Sequence, residues 1–455
     1  MKKLIALLLA VIMVLGLAAC SVSEKPATET PAAETPAAET PAAEPPAAET
    51  PAAEEAAPVA ISLWTYPIGD WGDQATVDSL LAAFNAKYPN ISVTVEYLTY
   101  QDGDDKVNTA IEGNAAPDLV MEGPERLVAN WGAKGKMVDL SDLWTDDVIA
   151  DTNAAVTAAC KATNGAYYEY PLCMTAHCMA INKTVFEAAG AMQYIDEDSH
   201  TWTTEGFIQA VEAVYNAGYE NVGVVFCGGQ GGDQGNRALI NNLYGGSFTN
   251  AEHTQYTANS PENIKALETL RDLDGITFDP SIVGGDEINL FRQGQLQMAT
   301  CWNIGQQLIG DHTDSGDEIM FLAFPSENGT DSKLCGGIWG FGIFDNGDAA
   351  KIEAAKTFIN YICNEEPAAS VAASNYFPVK ASVTGVYTGT ETETLMNEYN
   401  KLMGLLGDYY QVVPGWATAR TEWWNMLQRI GAGADVAAEV ATFDANANAA
   451  AAAEG

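Results

Sequence analysis

Basic residues are scarce in this sequence. Across 455 residues there are 21 lysines and arginines and four histidines, against 61 aspartates and glutamates, a formal charge of −40 at neutral pH. A field of that sign repels polyanions, so nucleic acid, anionic lipid and polyphosphate are poor partners and a neutral ligand is the natural one; acidity also simply keeps a secreted protein soluble. Histidine is so rare that metal chemistry has little to build on. Where it meets cysteine, at Cys173, His177 and Cys178, the spacing matches no zinc pattern, and neither a metal nor a cofactor is expected. Besides Cys20, the cysteines are Cys160, Cys173, Cys178, Cys227, Cys301, Cys335 and Cys363. That odd, scattered set makes no disulfide framework, and buried free thiols are the expectation.

Catalytic signatures are missing too. There is no serine elbow, zinc-protease helix or cysteine–histidine signature, and Asp102-Gly103-Asp104-Asp105 is too short for a calcium loop. The glycine-rich Gly228–Gly235 lacks the lysine and hydroxyl residue of a phosphate-binding loop, and reads instead as a cleft loop offering Gln230, Asp233 and Gln234 to hydroxyls. A secreted glycosidase needs two carboxylates at a set separation. With so many acidic residues a chance pair singles out nothing, and the chain does not read as an enzyme.

The amino terminus has Lys2 and Lys3, the apolar run Leu4–Leu17, and Leu17-Ala18-Ala19-Cys20. The run falls short of the roughly 20 residues that span a bilayer, so residues 1–19 read as a lipoprotein signal ending in a lipobox rather than as an uncleaved anchor helix. Cys20 then becomes the first mature residue, carrying diacylglycerol and palmitate-like acyl chains. Five near-copies of Thr-Pro-Ala-Ala-Glu follow between Thr30 and Glu54. Proline at every fifth position forbids a helix and the glutamates repel, so residues 20–58 form an extended stalk. A stalked lipoprotein suits the outer face of the membrane of a Gram-positive cell.

Residues 59–455 exceed the size at which one core stops growing, which implies two lobes. The apolar run Val59–Tyr66 reads as a buried first strand. Val77, Leu80, Leu81 and Phe84 fall on one helical stripe, Ile91–Leu98 alternates as a second strand, Val107–Ile111 is helical, Asp118–Met121 is a short strand and Leu127–Trp131 is helical again. Thr203, Ser260 and Asp348 stand where helices should be capped, and Val222–Phe226 and Ile338–Phe344 read as strands. Alternation of this kind implies an α/β fold with a mainly parallel sheet, whose ligands sit at the carboxyl ends of the strands.

Several stretches match a known family in order: Leu63-Trp64; Ala116-Pro117-Asp118-Leu119-Val120; Ala180-Ile181-Asn182-Lys183 through Gly190; Thr201-Trp202-Thr203; Phe291-Arg292-Gln293-Gly294 through Ala299; Gly336-Gly337-Ile338-Trp339-Gly340-Phe341; and Pro414-Gly415-Trp416. Over residues 59–445 the chain resembles the family 1 extracellular solute-binding proteins, the maltodextrin-binding group of ABC importers. The resemblance implies a type II periplasmic-binding-protein-like fold, two hinge-connected α/β lobes with interleaved segments. Lobe one would comprise 59–171 plus 324–374 and lobe two 172–323 plus 375–455. The crossings would lie near Tyr170-Pro171, Phe321–Pro325 and Ser374–Pro378, with helices such as Glu422–Ile430 packed on lobe two.

Sugar recognition asks for aromatic faces and planar polar groups. Trp64, Tyr66, Asp70 and Trp71 lie at the end of the first strand and just beyond it, where a doubly wound sheet places ligand contacts. The resemblance puts Glu125 and Arg126 at an acidic–arginine pair that contacts sugar hydroxyls, with a structural ion pair between the two as the lesser alternative, and Glu122 replaces a family tryptophan. Trp302, Asn303, Trp339 and Trp416 are further candidates, each also readable as core. Gly336 and Gly337 either admit a ligand to the backbone or form a tight turn. For a phosphorylated ligand such as a glycerol phosphate, Arg126, Arg237 and Arg420 are the neutralisers. The implied protein is a monomer that captures a small-molecule carbohydrate by closing its cleft and presents the closed form to the permease subunits.

Overall fold

The computed structural model describes residues 57–454 apart from Gln101 and residues 230–232. Cys20, the signal, the repeats and the candidate Gln230 lie outside the described residues. The strands are β1 (Val59–Thr65), β2 (Ile91–Tyr97), β3 (Leu119–Glu122), β4 (Tyr170–Ala176), β5 (Cys178–Asn182), β6 (Ile195–Asp196), β7 (Thr201–Trp202), β8 (Gly223–Phe226), β9 (Ile276–Asp279), β10 (Met298–Trp302), β11 (Ile319–Leu322), β12 (Gly336–Ile343) and β13 (Phe377–Pro378).

One sheet has the order β13-β4-β12-β3-β1-β2. β1 runs parallel to β2 and β3, with Leu63 opposite both Val95 and Leu119. β12 runs antiparallel to β3 and β4, and β13 antiparallel to β4. The sheet is therefore mixed, which corrects the expectation of a mainly parallel one. Helices separate β1, β2 and β3, so each re-enters in the same direction. β12 instead returns from elsewhere in the chain and crosses in the opposite sense.

A second sheet, β10-β5-β11, is antiparallel. The parallel pair β8–β9 abuts it, because the N–H groups of Gln297 and Met298 both donate to the Val222 carbonyl. The chain passes from the first sheet to the second at His177, the one residue between β4 and β5. Tyr170-Pro171, where that passage was expected, lies inside β4, buried and paired with β12. The chain leaves the second sheet at Leu322 and joins the first at Gly336. The two passages are tied together where the His177 N–H donates to the Cys335 carbonyl at 2.8 Å.

Local chemistry sets the helices. Asp73 accepts from the Thr76 N–H at 2.9 Å and starts Gln74–Lys87, whose Val77, Leu81 and Phe84 are buried. Thr203 caps Thr204–Asn216, Ser260 caps Pro261–Asp272 and Asp348 caps Ala349–Asn360, each through its side chain. The last two helices, Trp416–Gly431 and Val436–Glu454, pack on each other, and the first of them lies on β9. Among the described residues no helix is long and apolar enough to cross a membrane.

Candidate functional site

The carboxyl ends of β1, β2 and β3 bring one cluster together. Tyr66 follows β1, is fully buried, and donates its hydroxyl to Asp104 Oδ1 at 2.5 Å. Its ring lies against that of Tyr100, beyond β2, with centroids 5.2 Å apart. Tyr100 is 51% exposed, yet burial pushes its hydroxyl well above the usual tyrosine range, with Glu122 and Tyr376 adding to the effect.

Arg126 sits beside both rings, 5.3 Å from Tyr66 and 5.9 Å from Tyr100. It donates to Asp104 at 2.6 Å, Glu122 at 2.9 Å and Glu125 at 3.2 Å. Glu125 and Arg126 thus pair with each other. Glu122 is almost wholly buried, and burial pushes its carboxyl up to about 8 despite the neighbouring guanidinium, with Glu125 adding to the rise. Behind it Glu169 is fully buried with neither carboxylate oxygen hydrogen-bonded; burial, Glu125 and Glu122 lift its pKa well above the usual carboxylate range.

A second aromatic pair stands near this cluster: Trp339 of β12 stacks on Tyr376 at 4.7 Å, nearly parallel. The Trp339 ring lies across Gly337, where a Cβ would fall 2.0 Å from it. Gly336 and Gly337 are therefore not a turn. They are strand residues whose missing side chains make room for Trp339 and Leu406.

A second, basic cluster surrounds Asp233. Asp233 is buried between Arg237 and Arg420, which reach its oxygens from two sides. Burial alone would raise the Asp233 carboxyl, but the two guanidiniums hold it well below its ordinary value. Arg237 is fully buried and lies 4.9 Å over the half-buried ring of Trp416. The segment around Tyr410–Val412 links the two clusters: Tyr409 donates to Glu125 Oε2 at 2.5 Å, while Gln411 accepts from Gln234 at 2.8 Å.

The structure places the other sequence candidates elsewhere. Trp71 is fully buried, donates to the Ser370 carbonyl at 3.1 Å and packs edge-on against Phe341. Trp302 is fully buried, donates to Gln307 and packs on Phe291 beneath Arg292. Asn303 spends its side chain capping Ile304–Ile309. Trp64 is half-buried under the Lys106 ammonium, and Asp70 is exposed, its N–H held by the Ala373 carbonyl. Sequence reasoning missed Tyr100, Tyr376 and Tyr409. Tyr100 was findable, since it follows a parallel strand just as Tyr66 does; nothing local marks the other two. A groove of about 1280 Å³ lies apart from the cluster, lined by residues such as Tyr194, Thr201, Glu205 and Asn328. Among the described residues no group of three His, Cys, Asp or Glu side chains is arranged to hold a metal.

Three solved structures illustrate the fold. A cyclic alpha-maltosyl-1,6-maltose binding protein from Arthrobacter globiformis superposes with a TM-score of 0.69 at 19% identity, covering 87% of this chain and 99% of that one. An ABC substrate-binding protein from Listeria monocytogenes, in complex with cycloalternan, gives 0.65 at 19% identity over 86% and 98%. The maltose/maltodextrin-binding domain from Bdellovibrio bacteriovorus, bound to maltotriose, gives 0.60 at 17% identity over 86% and 99%. The architecture is the two-lobed one of periplasmic binding proteins. No curated protein matches the sequence. The profile of one family, described as bacterial extracellular solute-binding protein, matches residues 69–369. The chain belongs to the family of bacterial extracellular solute-binding proteins.

Proposed function

We propose that this protein captures an oligosaccharide outside the cell and delivers it to an ABC importer, without catalysing any reaction itself. The observation that carries this reading is the pairing of two aromatic stacks, Tyr66–Tyr100 and Trp339–Tyr376, with the Arg126 guanidinium among Asp104, Glu122 and Glu125. The exposed ring of Tyr100 suits the C–H side of a pyranose, and planar charged groups suit paired hydroxyls. The solved relatives named above are reported with sugars of several residues, which supports the same class. Asp233 already neutralises one charge of the Arg237–Arg420 pair, so a neutral sugar is favoured over a phosphate ester.

In this reading lobe one is built on the β1–β4, β12 and β13 sheet, and lobe two on β5, β8–β11 and the C-terminal helices. The passages at His177 and before Gly336 flex as the hinge. A sugar that contacts both lobes stabilises the closed form by its differential affinity, and the closed shape is what the permease subunits recognise. The chain acts as a monomer, held by lipidated Cys20 and its stalk on the outer face of the cytoplasmic membrane.

A thermal-shift panel of maltotriose, cellotriose, xylotriose and raffinose, with glycerol phosphates alongside, tests this. The expected result is a saturable rise in melting temperature with one glycan class, the sugar remaining unhydrolysed. A rise with glycerol phosphate alone would move the ligand to the arginine side of the cleft.

A further inference from the structure

His177 stands between β4 and β5, on the connection between the lobes, with its N–H fixed to the Cys335 carbonyl. Its imidazole is half-buried. Nδ1 is enclosed without a hydrogen-bond partner, and Nε2 makes no hydrogen bond among the described residues. The charged groups that act on the ring are Asp233 and Arg237, both of the basic cluster. Arg237 shows the same deficit: its Nη2 is enclosed and unpartnered, while its other nitrogens serve Asp233 and Tyr410.

Burial depresses the His177 pKa to about 4, with Asp233 opposing and Arg237 reinforcing, so the ring is neutral at ordinary pH. A neutral imidazole carries one N–H and one lone pair. An enclosed nitrogen without a partner is less costly as a bare lone pair than as a stranded N–H, because unpaired buried donors are the rarer defect. That argument puts the proton on Nε2. The flanking thiols offer no competing metal site. Cys178 lies 3.2 Å from the Tyr399 hydroxyl, and burial pushes both Cys173 and Cys178 up to about 12, leaving them protonated.

We propose that His177 is a ligand-binding residue at the floor of the cleft, donating from Nε2 to a hydroxyl or ring oxygen of the bound sugar. The inference rests on the sugar-binding reading and adds to it a contact on the hinge itself. A ligand held there is oriented by one of the two passages common to both lobes, beside Asp233 and Arg237.

The probe is whichever of maltotriose, cellotriose, xylotriose and raffinose shifts the wild-type protein most. Calorimetric Kd values are compared for wild type, His177→Ala and His177→Gln. Alanine is expected to weaken binding about tenfold or more, and glutamine, which keeps an N–H donor, to restore most of it. Should the alanine variant fail to fold, the wild-type protein still decides, because ¹⁵N-histidine spectra report on only four rings. Saturation with the probe is expected to move the His177 Nε2 resonance, assigned from its absence in the glutamine variant. Unchanged affinity in the alanine variant, or an unmoved resonance at saturation, overturns the proposal while the sugar reading stands. Failure of every sugar to shift the wild type overturns both.

Discussion

The Tyr399 hydroxyl donates to the carbonyl of Ala176, the last residue of β4, at 2.7 Å. The same oxygen lies 3.2 Å from the thiol of Cys178, the first residue of β5, so one phenol touches the chain on both sides of His177. Its ring packs on Phe321 of β11 and lies nearly parallel to Phe377 of β13, one neighbour from each sheet. Tyr399→Phe keeps the ring and deletes the bonds. The expected cost is about 1–2 kcal/mol in urea unfolding. With the proposed hinge at His177, sugar affinity should change as well, although Tyr399 is fully buried, because this contact would then bias the balance between open and closed forms. A variant matching wild type in both measurements would remove Tyr399 from the proposed hinge.

Asp233→Asn leaves fully buried Arg237 without its counter-charge. Breaking a buried pair on one side costs about 3–5 kcal/mol. Because the folded-state pKa of Asp233 is depressed, its contribution is present above the ordinary carboxylate range and is lost only as pH falls through the lowered value. The stability gap between wild type and variant should therefore be as large at pH 4.5 as at pH 7. Unfolding curves at the two pH values check this.

Two aromatic truncations should separate ligand platform from core. Tyr100→Ala removes an exposed ring, with an expected loss in sugar affinity of about 10–100-fold and a change in ligand-free stability below about 1 kcal/mol. Trp302→Ala empties a fully buried site and should cost about 3–5 kcal/mol in stability. Paired calorimetry and denaturation would reveal a reversal of the two patterns, which would exchange the roles assigned to these rings.

Glu169 has a raised folded-state pKa, so its contribution to stability is full below the ordinary carboxylate range and erodes as pH climbs above it. Glu169→Gln cannot ionise. Relative to wild type it should gain at least about 1 kcal/mol between pH 5 and pH 8. Parallel pH profiles for the two proteins would mean that the carboxyl finds a partner on ionising.

The seven cysteines from Cys160 onward are free and buried. A thiol reagent added to the native protein should therefore find none of them, and all seven should react once the chain is unfolded. Rapid reaction in the native state would show an opening around the passages between the two sheets, where Cys178 and Cys335 lie.

Much of the fold was legible because its signals are local. The caps Thr203, Ser260 and Asp348 act within three residues of where they stand, and the buried stripe Val77, Leu81 and Phe84 repeats at helical spacing. The direction of β12 was not legible. Gly336–Ile343 reads as a strand in either sense, and only its partners β3 and β4 fix it antiparallel. The aromatic candidates divided for a similar reason. Trp71, Trp302 and Tyr100 all follow or end strands, but exposure depends on what packs against each ring, which for Trp302 is Phe291 and for Tyr100 is solvent on one side.

By itself the sequence determined the chain's class: an α/β protein too large for one core, acidic, without a catalytic signature, in the ordered company of the solute-binding family. These follow from composition, periodicity and motif order, each carried by residues close together in the chain. Only the tertiary structure decided that the passage between the sheets falls at His177, that Glu125 and Arg126 pair with each other, and that Tyr100 stacks on Tyr66 and Tyr376 on Trp339. Those facts depend on contacts between residues up to hundreds of positions apart, such as Glu125 with Tyr409, and on burial, which sets both the charge of a carboxyl and the accessibility of a ring. Neither is a property of any segment taken alone.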